Sequence, residues 1–136
     1  MRQIPSTFAA RKLRFREIAL RPKPLNRERI EAAKFLVDAE EAGEYGTGGM
    51  NAYAKQILGV ELRRDFQGIY QAAKLVRLSR VGKIPVSEEE LENWDSTPIQ
   101  WFSGFVSNQP QKVAEALEII RSRKNVTNRL RELRAD

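Results

Sequence analysis

The chain has 136 residues, 41% apolar and 31% charged, which suits one globular domain able to bury a single core. It contains no cysteine and no histidine, which excludes disulfides, thiolate nucleophiles, and the commonest general base and metal ligand. The net charge of +6 is unevenly placed, at +7 over residues 1–34, −4 over 35–62, +5 over 63–83, −5 over 84–107 and +3 over 108–136.

Such clustering is the footprint of a polyanion binder, and equally the pattern of solvated positive faces. No apolar run approaches the ~20 residues that cross a bilayer. The N-terminus lacks the continuous apolar core of a secretory signal. A cytoplasmic protein without membrane contact is the expectation, although the arginine-rich, acid-poor start also fits an organellar transit peptide.

Residues 1–25 read as a basic arm ahead of a single helical domain over 26–136. Within the arm, "KLRFREIAL" alternates like a strand, while Ser6 offers a cap for a helix through "TFAARKL". The prolines of "RPKP" stop either element. A helix follows, with Asn26 as N-cap, Ile30, Ala33, Phe35, Leu36 and Val37 inward, and Gly43 as its stop. "GEYGTGG" holds four glycines in seven residues and reads as a loop.

Met50, Tyr53, Ala54, Ile57 and Leu58 make one apolar stripe, and Gly59 ends that short helix. A longer helix is expected from Leu62 to about Val81, with Leu62, Phe66, Ile69, Ala73 and Val76 on one face. After a break at "VGKIP", Ser87 and Glu90 form a capping box for a short helix. Thr97 and Pro98 then start a helix that is apolar nearly all round. Pro110 opens another, and a bend is expected near Asn125 before a last helical segment. The fold class is all-α, a compact bundle of six or seven helices.

Helix, turn at Gly59 and second helix come in the order of a helix-turn-helix unit over about 50–81. Arg63, Gln67, Gln71 and Lys74 lie opposite the apolar face, and arginine and glutamine suit guanine and adenine edges in the major groove. They are the candidate base contacts. The spacing departs from the common bacterial pattern: the residue four before Gly59 is Lys55, and the small Ala54 stands five before it. An ordinary helical hairpin shares all the apolar spacing.

Phosphate contacts are expected from Arg11, Lys12, Arg14 and Arg16 in the arm, from Arg64 and Arg77, and from Arg121, Arg123 and Lys124, with Arg129, Arg131 and Arg134 able to do likewise from the same tail. Gly48 and Gly49 join them, because their loop runs into a helix N-terminus where free amides favour an anion. The loop lacks the lysine of a Walker sequence, so no nucleotide cofactor is implied. No metal site is implied either.

Few aromatics interleave with the basic residues, which favours double-stranded DNA over single strands. The leading expectation is a non-enzymatic DNA-binding protein, in which a homodimer would be common although no heptad zipper is visible. A second reading is a protein-interaction module whose surface is Trp94, Trp101, Phe102 and Phe105. RNA or an acidic protein surface comes next. Catalysis ranks last, since nucleophile, base and oxyanion donor cannot be assembled.

Overall fold

A computed structural model of the chain describes residues 7–59 and 66–136. Regular structure among them is helical throughout: α1 (Phe8–Ala19), α2 (Asn26–Glu41), α3 (Met50–Leu58), α4 (Phe66–Arg80), α5 (Glu88–Glu92), α6 (Ser96–Asn108), a 3-10 turn (Pro110–Lys112), α7 (Val113–Ser122) and α8 (Val126–Ala135). None of these helices is long and apolar enough to cross a membrane.

The expected all-α class is observed, with eight α-helices among the described residues where six or seven were expected. The segment expected as an arm contains α1. Its cap is Thr7, whose hydroxyl accepts the Ala10 amide at 3.1 Å. Phe15 and Ile18 are fully buried in the same core as the rest of the chain, while Leu13 is 71% exposed. The alternation around Leu13 therefore carries no strand. At 100° per residue it is Phe8, Phe15 and Ile18 that face inward.

At the start of α2 the expected cap also shifts by one. Leu25 occupies the cap position, its amide donating to the Glu28 carboxylate at 2.9 Å. Asn26 is the first helical residue, and its side-chain amide donates to the carbonyls of Leu91 and Trp94. It thus staples the end of α5, adding a second donor to the Leu91 carbonyl, which already accepts the Trp94 amide. The far end of α2 stops as expected: Gly43 has φ +75°, Glu44 N–H donates to Ala39 O and Gly43 N–H to Glu40 O. This is the paired closure that a left-handed residue after a helix allows. The same closure ends α4 at Gly82.

The helices stack as a row. α2 packs on α4 and α4 on α6, forming a spine. α1 and α3 cover α2 at one end, α5 leans on α2 and α4, and α7 with α8 covers α6 at the other. Phe35 of α2 is the centre of the first end, with ring centroids of Phe15, Phe8 and Tyr53 at 5.2, 5.3 and 6.3 Å. Trp94 meets Phe102 edge-on at 5.3 Å in the second half of the core.

The expected bend near Asn125 is a sharp break: Arg123 (φ 57°) and Asn125 (φ 47°) both adopt the left-handed conformation. Asparagine tolerates that region, whereas arginine is held there against a cost of roughly 1 kcal/mol. Arg123→Gly should therefore raise the melting temperature by a few degrees. An unchanged or lower melting temperature would show that the Arg123 side chain contributes more than its backbone costs.

Candidate nucleic-acid interface

The helix expected to read bases lies in the middle of the row. α4 buries Phe66, Ile69, Ala72, Ala73, Leu75 and Val76, so only a narrow strip of it reaches the surface. Gln67 is exposed on that strip and Gln71 is half-buried. Lys74 Nζ donates to Ser107 Oγ of α6 at 2.9 Å, and Arg77 Nη2 to Glu40 of α2 at 2.9 Å. Arg63 and Arg64 lie outside the described residues.

α3 spans Met50–Leu58 as expected and ends at a left-handed Gly59 (φ 70°). Its principal packing is against α1 and α2, and it meets α4 at most marginally. The described residues therefore do not show the close crossing of two helices that a helix-turn-helix unit requires.

Most of the arginines ahead of α3 are engaged within the fold. Arg11 pairs with Asp38 at 2.5 Å. Arg14, only 17% exposed, faces Glu17, Glu28 and Glu31 at 3.2, 3.7 and 2.9 Å. Lys12 lies 5.8 Å from the Phe8 ring centre, and Arg16 is exposed. Neither Lys12 nor Arg16 has a carboxylate partner among the described residues. These cations were expected along phosphates; the sequence could not reveal that the acids of α2 lie beneath two of them.

A larger network joins α1, α2, α4 and α5. Arg80 reaches Asp38 at 2.6 Å, Glu88 at 3.0 Å and Glu41 at 3.4 Å, with its side chain 24% exposed. Burial alone would raise the Asp38 pKa, but the hydrogen bonds from Arg11 and Arg80 outweigh it and hold the carboxyl below its usual range.

The C-terminal helices differ. Arg121 is engaged, donating to both Glu90 oxygens at 2.9 Å and holding that carboxyl below its usual range. Beyond it, Arg123 and Lys124 are exposed at the α7–α8 break. Arg129 Nη1 donates to Ser122 Oγ at 2.8 Å and Lys124 O at 3.1 Å, and Arg131 Nη1 to Asn128 Oδ1 at 3.0 Å. Lys112 Nζ donates to Leu133 O at 2.8 Å, and the Arg134 guanidinium lies 4.3 Å from the Trp101 ring centre. All six cations meet only neutral groups among the described residues. Arg129, Arg131 and Arg134 belong to the basic tail expected along phosphates, whereas Lys112 was not singled out, because a charge run in sequence does not show which members lack acids in space.

Of the glycine loop, Gly43 and Gly46 have positive φ, and a Cβ on Gly48 would come within 2.8 Å of Ala52 Cβ. Those three glycines are accounted for by backbone geometry. Gly49 is the N-cap of α3, with no side-chain bond to its amides.

Three of the four aromatics expected on a partner surface face inward: Trp94 is 7% exposed, Phe102 0% and Phe105 2%. The reason is that α6 is covered by α4 on one side and by α7 and α8 on the other. Trp101 alone is partly exposed, beside a cleft of about 430 Å³. Comparison with protein-family models, with curated proteins and with solved structures finds no significant match to this chain.

Proposed function

We propose that the protein binds nucleic acid, duplex DNA included, through the phosphate backbone and the cations of the 3-10 turn, the α7–α8 break and α8. The observation that carries this reading is the set of six cations, Lys112, Arg123, Lys124, Arg129, Arg131 and Arg134, without a carboxylate partner among the described residues. Cations that the fold does not neutralise remain available to replace the counterions of a polyanion.

The start of α8 supports the same reading. It has no acid in its first turn, and no side chain caps its amides. Asn125 Oδ1 instead accepts the Asn128 side-chain amide at 3.0 Å. Free amides beside Arg123 and Lys124 suit a phosphate. The reading places the main contact at the α7–α8 end rather than on α4, where Lys74 and Arg77 are already bonded to neighbouring helices.

Fluorescence anisotropy of a labelled duplex across a salt series tests it. Affinity should fall steeply with salt, with a logarithmic slope of about −0.9 per phosphate contacted. Arg123→Ala/Lys124→Ala/Arg131→Ala should flatten that slope by roughly 2–3 and weaken binding at least tenfold at low salt. Gln67→Ala/Gln71→Ala should change neither. Loss of sequence preference in the glutamine variant would return the reading to α4, and no binding at low salt would remove it.

A further inference from the structure

The cleft beside Trp101 is built by two helices that sequence keeps apart. Gln100, Trp101, Gly104, Phe105 and Asn108 come from α6, and Arg134 from the last turn of α8. Two polar contacts hold that turn in place. Gln109 Nε2 donates to Arg134 O at 3.1 Å and Lys112 Nζ to Leu133 O at 2.8 Å. Both satisfy carbonyls that a helix C-terminus leaves open. The result is a guanidinium fixed over an indole at 4.3 Å.

The chemistry of the lining is specific. One wall is an indole face partly open to solvent, and Phe105 is the apolar floor. A Cβ built at Gly104 meets nothing within 4 Å, so the space above it is open. The side-chain amides of Gln100 and Asn108 offer both donors and acceptors at the rim. At about 430 Å³ the volume lies near the lower end for small-molecule sites, suited to one flat ring system rather than to a length of peptide. No acid lines it, and Arg134 is one of three arginines on α8.

We infer that this cleft receives one unpaired nucleobase of a strand whose phosphates lie along α8. The inference rests on the nucleic-acid reading above. The base packs against the part of Trp101 open to the cleft, with Arg134, which already covers the indole, at its edge, and the rim amides meet its hydrogen-bonding edge. A paired base inside a blunt duplex cannot enter, so the cleft adds affinity for single-stranded segments only. The scarcity of aromatics between basic residues in sequence therefore does not settle the matter. The pair that matters, Trp101 and Arg134, is assembled by the packing of α8 on α6.

The test titrates the full chain at low salt with a twelve-residue oligothymidine and, separately, with a blunt duplex of the same length. Indole emission and anisotropy are followed together. The single strand should quench the emission and the duplex should leave it unchanged. Trp101→Ala should weaken single-strand binding by roughly 5- to 100-fold, with duplex binding within about twofold. Trp101→Phe, which keeps the packing, should retain most of the affinity and lose most of the quenching.

Single-strand binding without quenching, or equal loss for both oligonucleotides in Trp101→Ala, overturns base capture and leaves the phosphate reading intact. Quenching by an aromatic peptide but by neither oligonucleotide assigns the cleft to a protein partner and overturns it too. Absence of binding to both oligonucleotides removes both readings.

Discussion

Phe35→Ala is expected to destabilise the fold by about 3–5 kcal/mol, the range for removing a large buried aromatic ring. Phe35 is 2% exposed and sits among Phe8, Phe15 and Tyr53, which come from α1 and α3. Tyr53 in turn stacks on Tyr45 at 4.9 Å, and the Tyr45 hydroxyl donates to Leu36 O at 2.6 Å. One ring therefore joins α2 to both helices that cover it. Loss of that contact leaves a cavity bounded by stiff rings that cannot easily collapse. Against a total of roughly 5–15 kcal/mol for a domain, the variant should be marginal or unfolded at 37 °C. Urea unfolding followed by circular dichroism would measure it, with Phe35→Leu as the milder companion. A loss below about 1 kcal/mol for the alanine variant would mean that α1 and α3 dock without this ring.

The second large effect is electrostatic. Arg80→Met should cost about 2 kcal/mol at neutral pH, below the 3–5 kcal/mol typical of fully buried pairs because the partners keep some solvent. The side chains of Arg80, Asp38 and Glu88 are 24, 29 and 27% exposed. Methionine keeps much of the packing and leaves three carboxylates, Asp38, Glu41 and Glu88, facing one another. The sign of the pH dependence follows from Asp38. Its folded pKa is depressed, so its stabilisation is complete above the unfolded value of about 3.9 and fades as pH falls through the folded value. The gap between wild type and variant should therefore narrow between about pH 4 and pH 2. Equal gaps at pH 7 and pH 2.5 would show that Arg80 acts by packing alone.

The sequence made some elements plain because their signals are local. The stripe from Met50 to Leu58, the Ser87 cap on Glu90 and the stops at Gly43 and Gly59 need only neighbours along the chain, and the helices appear there. α1 was ambiguous because its inward residues are few and Leu13, which points to solvent, completes a false alternation. Leu75 already interrupts the polar side of α4 in sequence, but the full breadth of its apolar surface is not legible there, since Ala72 passes as a neutral residue until a helix lies on each side of it.

The candidate site was harder still. Charge runs were visible, but an arginine is available to a partner only if no acid meets it, and those acids lie far along the chain. Arg11 meets Asp38, and Arg121 meets Glu90. The pairing of Trp101 with Arg134 has the same character. Nothing near either residue announces the other.

The alternation of the spine also bears on how the chain folds. α2 packs on α4 and α4 on α6, while α3 covers α1 and α2, and α5 covers α2 and α4. The spine contacts are each closed by one intervening stretch of chain, which keeps the entropy of loop closure low, while α5 returns to α2 over a longer separation. Helical domains with such local wiring fold in roughly microseconds to milliseconds. Growth of the row from either end, or outward from α2 and α4, leaves the return of α5 to α2 as its longest closure.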